Sequence, residues 1–179
     1  MRRSAVLMFA LGCLGQHVLA TEPEKPAAEE PPVLGCRTIA LNGERGGMLA
    51  NVNGELRWVD SPVAWTEWTL RETDKGWTIQ PLFREESDAR YLSCDGKGTV
   101  TLVAKPGEGV YWKLARKNER INIFEATIQA SGGKFDGWYL GFSDEEEQIE
   151  KGNRKYRSYG VKLLEKPGAM TALQIFIRR

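Results

Sequence analysis

The chain has few of the histidine and cysteine side chains on which many enzymes depend. It contains one histidine and three cysteines among 179 residues. The histidine is His17, which lies in an N-terminal segment that we expect to be removed. A mature chain without histidine cannot build a Ser-His-Asp or Cys-His catalytic group or the common histidine-containing zinc sites. Among enzyme classes, hydrolysis by paired carboxylates remains open.

The sequence also lacks a long apolar run. Residues 1–20 begin with Arg2 and Arg3, continue with a short apolar stretch at 5–14 and end in small residues, which is typical of a signal peptide. The stretch is too short to span a bilayer. We therefore expect a secreted or periplasmic protein. The alternative is a membrane-anchored lipoprotein, because Leu11-Gly12-Cys13 loosely matches a bacterial lipobox and Cys13 would then carry the lipid.

The mature chain also has no large excess of positive or negative charge. Loss of Arg2 and Arg3 reduces the 25 basic residues to 23, against 24 acidic residues. A nearly neutral chain without a Walker loop or a Gly-x-Gly-x-x-Gly motif is not expected to bind nucleic acid or nucleotides. Residues 21–33 are rich in Pro, Glu and Ala, so they should form an extended linker. The folded domain is then 34–179.

Two cysteines remain in the mature chain, Cys36 and Cys94. In an exported protein they could form a disulfide, and the alternative is two buried thiols. Their separation in the sequence does not show whether their Cα atoms come within bridging distance. Both possibilities stay open.

What the sequence does contain is internal repetition. Three prolines, Pro62, Pro106 and Pro167, are each followed six residues later by a large apolar residue. Self-similarity with a period of roughly 40–60 residues indicates a repeat architecture. The apolar residues in these equivalent positions are Trp68, Trp112 and Leu173.

Each of the three units reads as four short strands. Apolar residues alternate within them, Gly and Pro stand at the joints, and Asn53-Gly54 is a strong hairpin signal. No segment has a convincing helical period. The predicted class is all-β, with twelve strands. They are residues 37–41, 48–51, 56–59, 68–71, 77–82, 91–94, 100–104, 111–116, 121–126, 138–142, 161–165 and 172–178.

Three such units resemble a β-trefoil, in which six strands close a short barrel and three hairpins cap one end. The resemblance covers 34–179, whereas an open β-sandwich would explain the strands but not their threefold register. The trefoil pattern implies three core layers, each contributed by all three units. The layers are Leu49, Leu92 and Leu140; Ile39, Ile79 and Ile123; and Trp68, Trp112 and Leu173.

The resemblance also implies a class of function. Ricin-type lectins of this fold carry Gln-x-Trp in each unit, but here Thr66, Val110 and Thr171 occupy the glutamine positions. The pattern is nearer to the fascin-like and growth-factor-like trefoils, which bind proteins or polyanions. We expect a monomeric, non-enzymatic binding module without a cofactor, recognising glycans or an extracellular or envelope protein.

Two other functions stay open. One is a glycoside hydrolase that uses a carboxylate pair such as Asp95 and Asp144. The other is a trefoil-type protease inhibitor, whose reactive loop would correspond to residues 71–76, with Arg71 or Lys75 as the specificity residue. A purely structural envelope protein is a further possibility.

The third unit is longer than the others. Leu140 and Leu173 are 33 residues apart, whereas the equivalent spacings are 19 and 20. The extra residues, 143–160, are an acidic run followed by basic residues and tyrosines, which would form either a binding surface or a self-neutralising solvated loop. A smaller expansion at 128–136 carries Ser131-Gly132-Gly133. The candidate ligand-binding residues are Trp65, Trp138, Asp144, Arg154, Tyr156 and Arg157. The carboxylates lack the spacing of a calcium loop, so no metal site is predicted.

Overall fold

The computed structural model describes residues 33–41, 47–60, 66–82, 91–120 and 122–177. The predicted signal peptide, Cys13 and Trp65 lie outside these ranges, as does the predicted linker apart from Val33. No helix in the described ranges is long and apolar enough to cross a membrane.

Twelve strands make up the described domain, in agreement with the sequence. They are β1 (Val33–Leu41), β2 (Met48–Val52), β3 (Glu55–Val59), β4 (Trp68–Thr73), β5 (Gly76–Pro81), β6 (Tyr91–Cys94), β7 (Val100–Val103), β8 (Trp112–Arg120), β9 (Ile123–Ala130), β10 (Tyr139–Lys151), β11 (Arg154–Leu164) and β12 (Leu173–Ile177).

Six of these strands close a ring. Strand β1 pairs with both β4 and β12, β4 pairs with β5, β5 with β8, β8 with β9, and β9 with β12, all antiparallel. The other six strands form three hairpins, β2–β3, β6–β7 and β10–β11. A closed six-stranded barrel with three hairpins is the β-trefoil arrangement, so the predicted fold class is confirmed. Closing the ring leaves the barrel strands without an exposed edge.

The core has the predicted threefold register in two of its layers. Leu49, Leu92 and Leu140 are fully buried, and so are Trp68, Trp112 and Leu173. In the first unit the indole N–H of Trp68 donates to the carbonyl oxygen of Leu49 at 2.8 Å. In the second unit Trp112 donates to Leu92 at 3.0 Å. The same bond at the same position shows that the repeat was aligned correctly.

The prediction of the remaining core layer is wrong by one residue in the third unit. Ile39 and Ile79 are buried, but Ile123 is only partly buried and Phe124 takes the inward position. Ile175 of β12 pairs with Ile39 on one side and with Phe124 on the other. Because side chains alternate along a strand, a shift of one residue exchanges the two faces. The strand also starts two residues later than expected.

Turn chemistry follows the sequence closely in the first hairpin. Asn53 and Gly54 have φ angles of 54° and 87°. Positive φ at both central positions is what a type I′ turn requires. The side-chain oxygen of Asn51 accepts a hydrogen bond from the Gly54 N–H at 3.1 Å, which holds the turn from within.

The long insertion of the third unit is not a loop. Residues 143–160, here called the ribbon, continue β10 and β11 as paired strands up to a turn at 152–153. On its other side β11 pairs with β3 of the first unit, with Tyr159 opposite Trp58. Ile149 packs on a small apolar cluster of Ala50, Val52 and Val59. The expected solvated flap is therefore a strand pair that covers the first unit.

Candidate functional site

A cleft of about 350 Å³ opens at the junction of the second and third units. Three segments form it: the turn after β6, the loop before β8, and the segment between β9 and β10. We call it the Phe135 cleft. Its lining residues are Cys94, Asp95, Gly96, Glu108, Gly109, Ala130, Gly132, Gly133, Lys134 and Phe135.

Asp95 fixes the first wall. Its Oδ1 atom accepts the backbone N–H groups of Lys97 and Thr99, both at 2.8 Å. These bonds, that from Thr99 most and that from Lys97 next, lower the pKa of the Asp95 carboxyl. The turn therefore holds a charged carboxylate at the edge of the cleft, because hydrogen bonds to the ionised form favour it.

The loop before β8 forms the second wall, and its backbone is in close contact with the backbone of β6. Gly109 has a φ of 88°, and a Cβ atom there would lie 2.0 Å from the carbonyl oxygen of Cys94. The Cys94 N–H donates to the Gly109 oxygen at 2.9 Å. Only glycine fits this contact. The neighbouring side chain, Glu108, is exposed, and its Oε1 atom lies beside Gly133, 3.2 Å from where a Cβ would stand.

A glycine-rich turn forms the third wall. Gly132 and Gly133 have φ angles of 88° and 70°. Asp136 closes the turn, since its Oδ1 accepts the Gly132 N–H at 2.9 Å and the Lys113 ammonium at 2.8 Å. The bond from Lys113, followed by that from Gly132, lowers the pKa of Asp136. The turn is thus held by charge as well as by backbone geometry, and it presents bare peptide groups beside the cleft.

Phe135 supplies the aromatic part of the site. The tip of its ring lies on the backbone of Gly98, where a Cβ atom would be only 2.9 Å from Cζ. Trp138 meets the ring edge to face, with centroids 5.0 Å apart and an interplanar angle of 86°. The Lys134 ammonium lies 5.4 Å from the ring centroid. Phe135 is therefore fixed by packing, while the Lys134 side chain is exposed.

Cys94 contributes a buried thiol to the wall of the cleft. It is a free thiol in the structure, whereas the sequence had left open both a bridge to Cys36 and two buried thiols. The side chain of Cys36 lies outside the described residues. Burial, and after it the charge of Asp95, raises the pKa of the Cys94 thiol. The thiol is accordingly a packing group with low nucleophilicity at neutral pH.

The structure does not gather the candidate residues from the sequence into one site. Trp138 supports Phe135 from behind, and Asp144, Arg154 and Arg157 are exposed on the ribbon. Tyr156 is only 8% exposed, so its ring is not available for stacking on a ligand. None of these five residues lines the Phe135 cleft.

Ion pairs neutralise much of the ribbon. Glu147 pairs with Arg57 of β3 at 2.7 Å. Arg157 pairs with Asp60 at 3.2 Å, and across the ribbon Glu150 pairs with Lys155 at 3.0 Å. Two of these pairs join the ribbon to the first unit and one lies within it, which differs from the self-neutralising solvated loop of the second interpretation. The ribbon is a packed and charge-paired element, not an open basic surface.

Sequence reasoning missed three side chains of the cleft, Glu108, Lys134 and Phe135. The expansion at 128–136, with its consecutive glycines, was the signal for the last two. Glu108 stands in a loop of ordinary repeat length, so nothing in the pattern marked it. Asp95 was singled out, but as a partner of Asp144, which lies elsewhere.

The structure also bears on the alternative functions. Asp95 lines the cleft without Asp144, and its lowered pKa suits a permanent carboxylate better than a general acid, which needs a raised pKa. Residues 71–76 are the ends of β4 and β5 joined by a two-residue turn, with Thr73 paired to Gly76. That hairpin is too tight to present an extended reactive loop.

Within the described ranges, no group of three or more His, Cys, Asp or Glu side chains is placed to hold a metal ion.

Comparison with known proteins supports the architecture. No family model and no curated protein sequence matches the chain. Among solved structures it is similar to the β-trefoil lectin in "SeviL bound to asialo-GM1 saccharide", with 16% sequence identity and a TM-score of 0.54. The match covers 80% of this chain and 97% of that one. At this identity the likeness shows the fold alone, and the chain has the β-trefoil fold.

Proposed function

We propose that this protein is an exported, non-enzymatic carbohydrate-binding module that holds an uncharged saccharide in the Phe135 cleft. The observation that carries the proposal is the cleft itself. It places two carboxylates, an exposed ammonium group, glycine backbone and a fixed aromatic ring around about 350 Å³. A few placed polar groups beside apolar surface are typical of small-ligand sites.

The polar groups suit sugar hydroxyls. A carboxylate accepts hydrogen bonds only, and a hydroxyl donates one, so Asp95 and Glu108 can each receive hydroxyl hydrogens. The Lys134 ammonium donates, which suits a ring oxygen or a hydroxyl oxygen. Gly132 and Gly133 have no side chains, so a ligand can come close to their peptide groups. These groups together recognise a polyhydroxylated ligand.

The apolar and charged parts narrow the ligand class. The Phe135 ring offers apolar surface to the C–H face of a pyranose, much as aromatic side chains do at other mixed polar sites. Two carboxylates and one ammonium line the cleft, so its side chains carry more negative than positive charge. A like charge on the ligand is repelled. An uncharged saccharide is therefore favoured over a sialylated or sulfated one. The solved protein of similar fold, SeviL, is bound to the asialo-GM1 saccharide.

Absence of turnover is the second part of the proposal. Glycoside hydrolysis needs a carboxylic acid that is protonated at the working pH. The hydrogen bonds to Asp95 stabilise its ionised form instead. Glu108 is an exposed side chain. The cleft thus has acceptors for hydroxyls but no buried acid for the leaving group.

A glycan array followed by calorimetric titration tests the proposal. We expect binding of uncharged glycans without cleavage. Glu108→Gln keeps the size of the side chain but removes a charged acceptor, and bonds to charged groups contribute about 1.5–3 kcal/mol, so the affinity should fall roughly tenfold or more. Glu145→Gln, an exposed glutamate on the ribbon, is the matched control and should bind like the unaltered protein. Equal affinity of both variants, or glycan cleavage, would contradict the proposal.

Export is a proposal of its own. Its support is the leader-like segment 1–20 and the Pro/Glu-rich 21–33 that follows it. Intact-mass measurement of protein from the medium and from the cell envelope should give a chain beginning at Thr21. A diacylglycerol-modified chain beginning at Cys13 would show a lipoprotein instead, and an uncleaved chain in the cytosol would exclude export.

A further inference from the structure

The three repeats offer three equivalent places for a cleft, and their side chains differ. Asp95 stands three residues after Leu92, and Glu108 four residues before Trp112. Leu92 and Trp112 are fully buried anchors of the repeat, and so are their partners in the other two units. Counting from those anchors gives the counterparts of the two carboxylates. They are Val52 and Ser143 for Asp95, and Ala64 and Ala169 for Glu108.

In the first unit the residue equivalent to Asp95 is Val52, and its side chain is packed in an apolar cluster. Val52 is 7% exposed and belongs to the apolar cluster with Ala50 and Val59. Ile149 of the ribbon lies against this cluster. A valine side chain offers no hydrogen bond, and the ribbon covers it. The ribbon of the third unit therefore covers the first-unit counterpart of Asp95.

In the third unit neither equivalent position carries a carboxylate. The Ser143 hydroxyl oxygen accepts the Gly160 N–H at 3.1 Å, across the irregular start of the ribbon. Ala169 replaces the carboxylate of Glu108. A shallow depression of about 610 Å³ does exist there, but it is lined by the single segment 164–171. That segment is the loop before β12, so the depression is formed by the counterpart of the second wall of the Phe135 cleft.

We propose that the Phe135 cleft is the one saccharide site among the described residues, and that the counterparts of Asp95 and Glu108 in the other two units bind no saccharide. This inference rests on the proposed function. It makes the protein a monovalent binder, although its fold is built from three similar units. The cause is local: Asp95 and Glu108 occur together only in the second unit, and the ribbon covers Val52 in the first.

Two substitutions that introduce a large side chain distinguish binding at the Phe135 cleft from binding at the third-unit depression. Gly96 lines the cleft, and a Cβ atom there would meet nothing within 4 Å, so Gly96→Trp adds a large ring at the cleft without backbone strain. Gly168 lines the third-unit depression with the same freedom, so Gly168→Trp is its matched control. Calorimetric titration uses a pure glycan selected on the array. We expect a stoichiometry of one, at least a tenfold loss of affinity in Gly96→Trp, and no loss in Gly168→Trp.

The outcomes distinguish the two proposals. A stoichiometry of two or three, full-affinity binding that persists in a folded Gly96→Trp protein, or loss of binding in Gly168→Trp would overturn the single site while leaving carbohydrate binding in place. Binding of no glycan by the unaltered protein would overturn both. Circular dichroism shows whether each variant folds. If Gly96→Trp does not fold, Glu108→Gln tests the same claim, because a protein with a single site then loses all of its high-affinity binding.

Discussion

The hairpins of the second and third units occupy the same place in the repeat but do different things. The β6–β7 hairpin is short, and the turn between its strands supports one wall of the Phe135 cleft. The β10–β11 hairpin is extended by the ribbon, pairs with β3 and covers an apolar cluster. The most distinctive stretch of sequence therefore serves packing, whereas an ordinary turn beside a modest glycine-rich expansion builds the candidate site. Distinctive composition therefore does not mark the candidate site in this chain.

The largest expected effect comes from removing the ribbon. Replacing residues 143–160 by a short Gly-containing turn deletes the buried Tyr156 and Tyr159 and uncovers Val52 and Val59. Each large apolar side chain contributes about 1.5–3 kcal/mol when buried. We expect the free energy of unfolding to fall by more than about 5 kcal/mol, close to the whole stability of many domains. The measurement is the urea midpoint.

This expectation differs from the one that follows from the sequence alone. A solvated loop could be deleted at little thermodynamic cost, because loop length affects stability only logarithmically. An unchanged urea midpoint would therefore contradict the packed ribbon. The exposed pair Glu150–Lys155 supplies the control: Lys155→Ala should change the free energy of unfolding by less than about 1 kcal/mol.

A smaller effect tests whether the second unit keeps the threefold core. Trp112 is fully buried and donates its indole N–H to Leu92. Trp112→Ala should lower the free energy of unfolding by about 3–5 kcal/mol, as is typical for a deleted buried aromatic side chain. Lys113→Ala, one residue along and facing outward, removes an exposed pair with Asp136 and should cost less than about 1 kcal/mol. Equal denaturation midpoints of the two variants would show that the register is misassigned.

Much of the fold was accessible from the sequence because the repeat is carried by core residues. Leu49, Leu92 and Leu140 recur because the barrel needs the same volume three times. The error at Ile123 arose because Ile123 and Phe124 are both apolar, so composition does not show which of the two faces the core. Pairing with β12 decides it. The ribbon was misjudged for a related reason, since its alternating charges conceal strand pairing with a distant segment.

Much less of the candidate site was accessible. The cleft is assembled from three segments that the barrel brings together, and no local motif spans them. Asp95 was visible as a carboxylate in a turn, but its role depends on Glu108 and on the turn at Gly132. Trp138 was noticed for its aromatic ring, yet the structure uses that ring to support Phe135. Local reasoning finds unusual residues, whereas a site requires their arrangement in space.

An NMR titration of the ¹⁵N-labelled protein with an uncharged glycan selected on the array tests the central claim most directly. Backbone amides report from both regions, with Gly96 and Gly132 in the cleft and Gly152 and Gly160 in the ribbon. We expect the largest saturable shifts at Gly96, Gly132 and their neighbours, while the amide signals of the ribbon glycines barely move. Saturable shifts centred on the ribbon, with the cleft glycines unaffected, would contradict it.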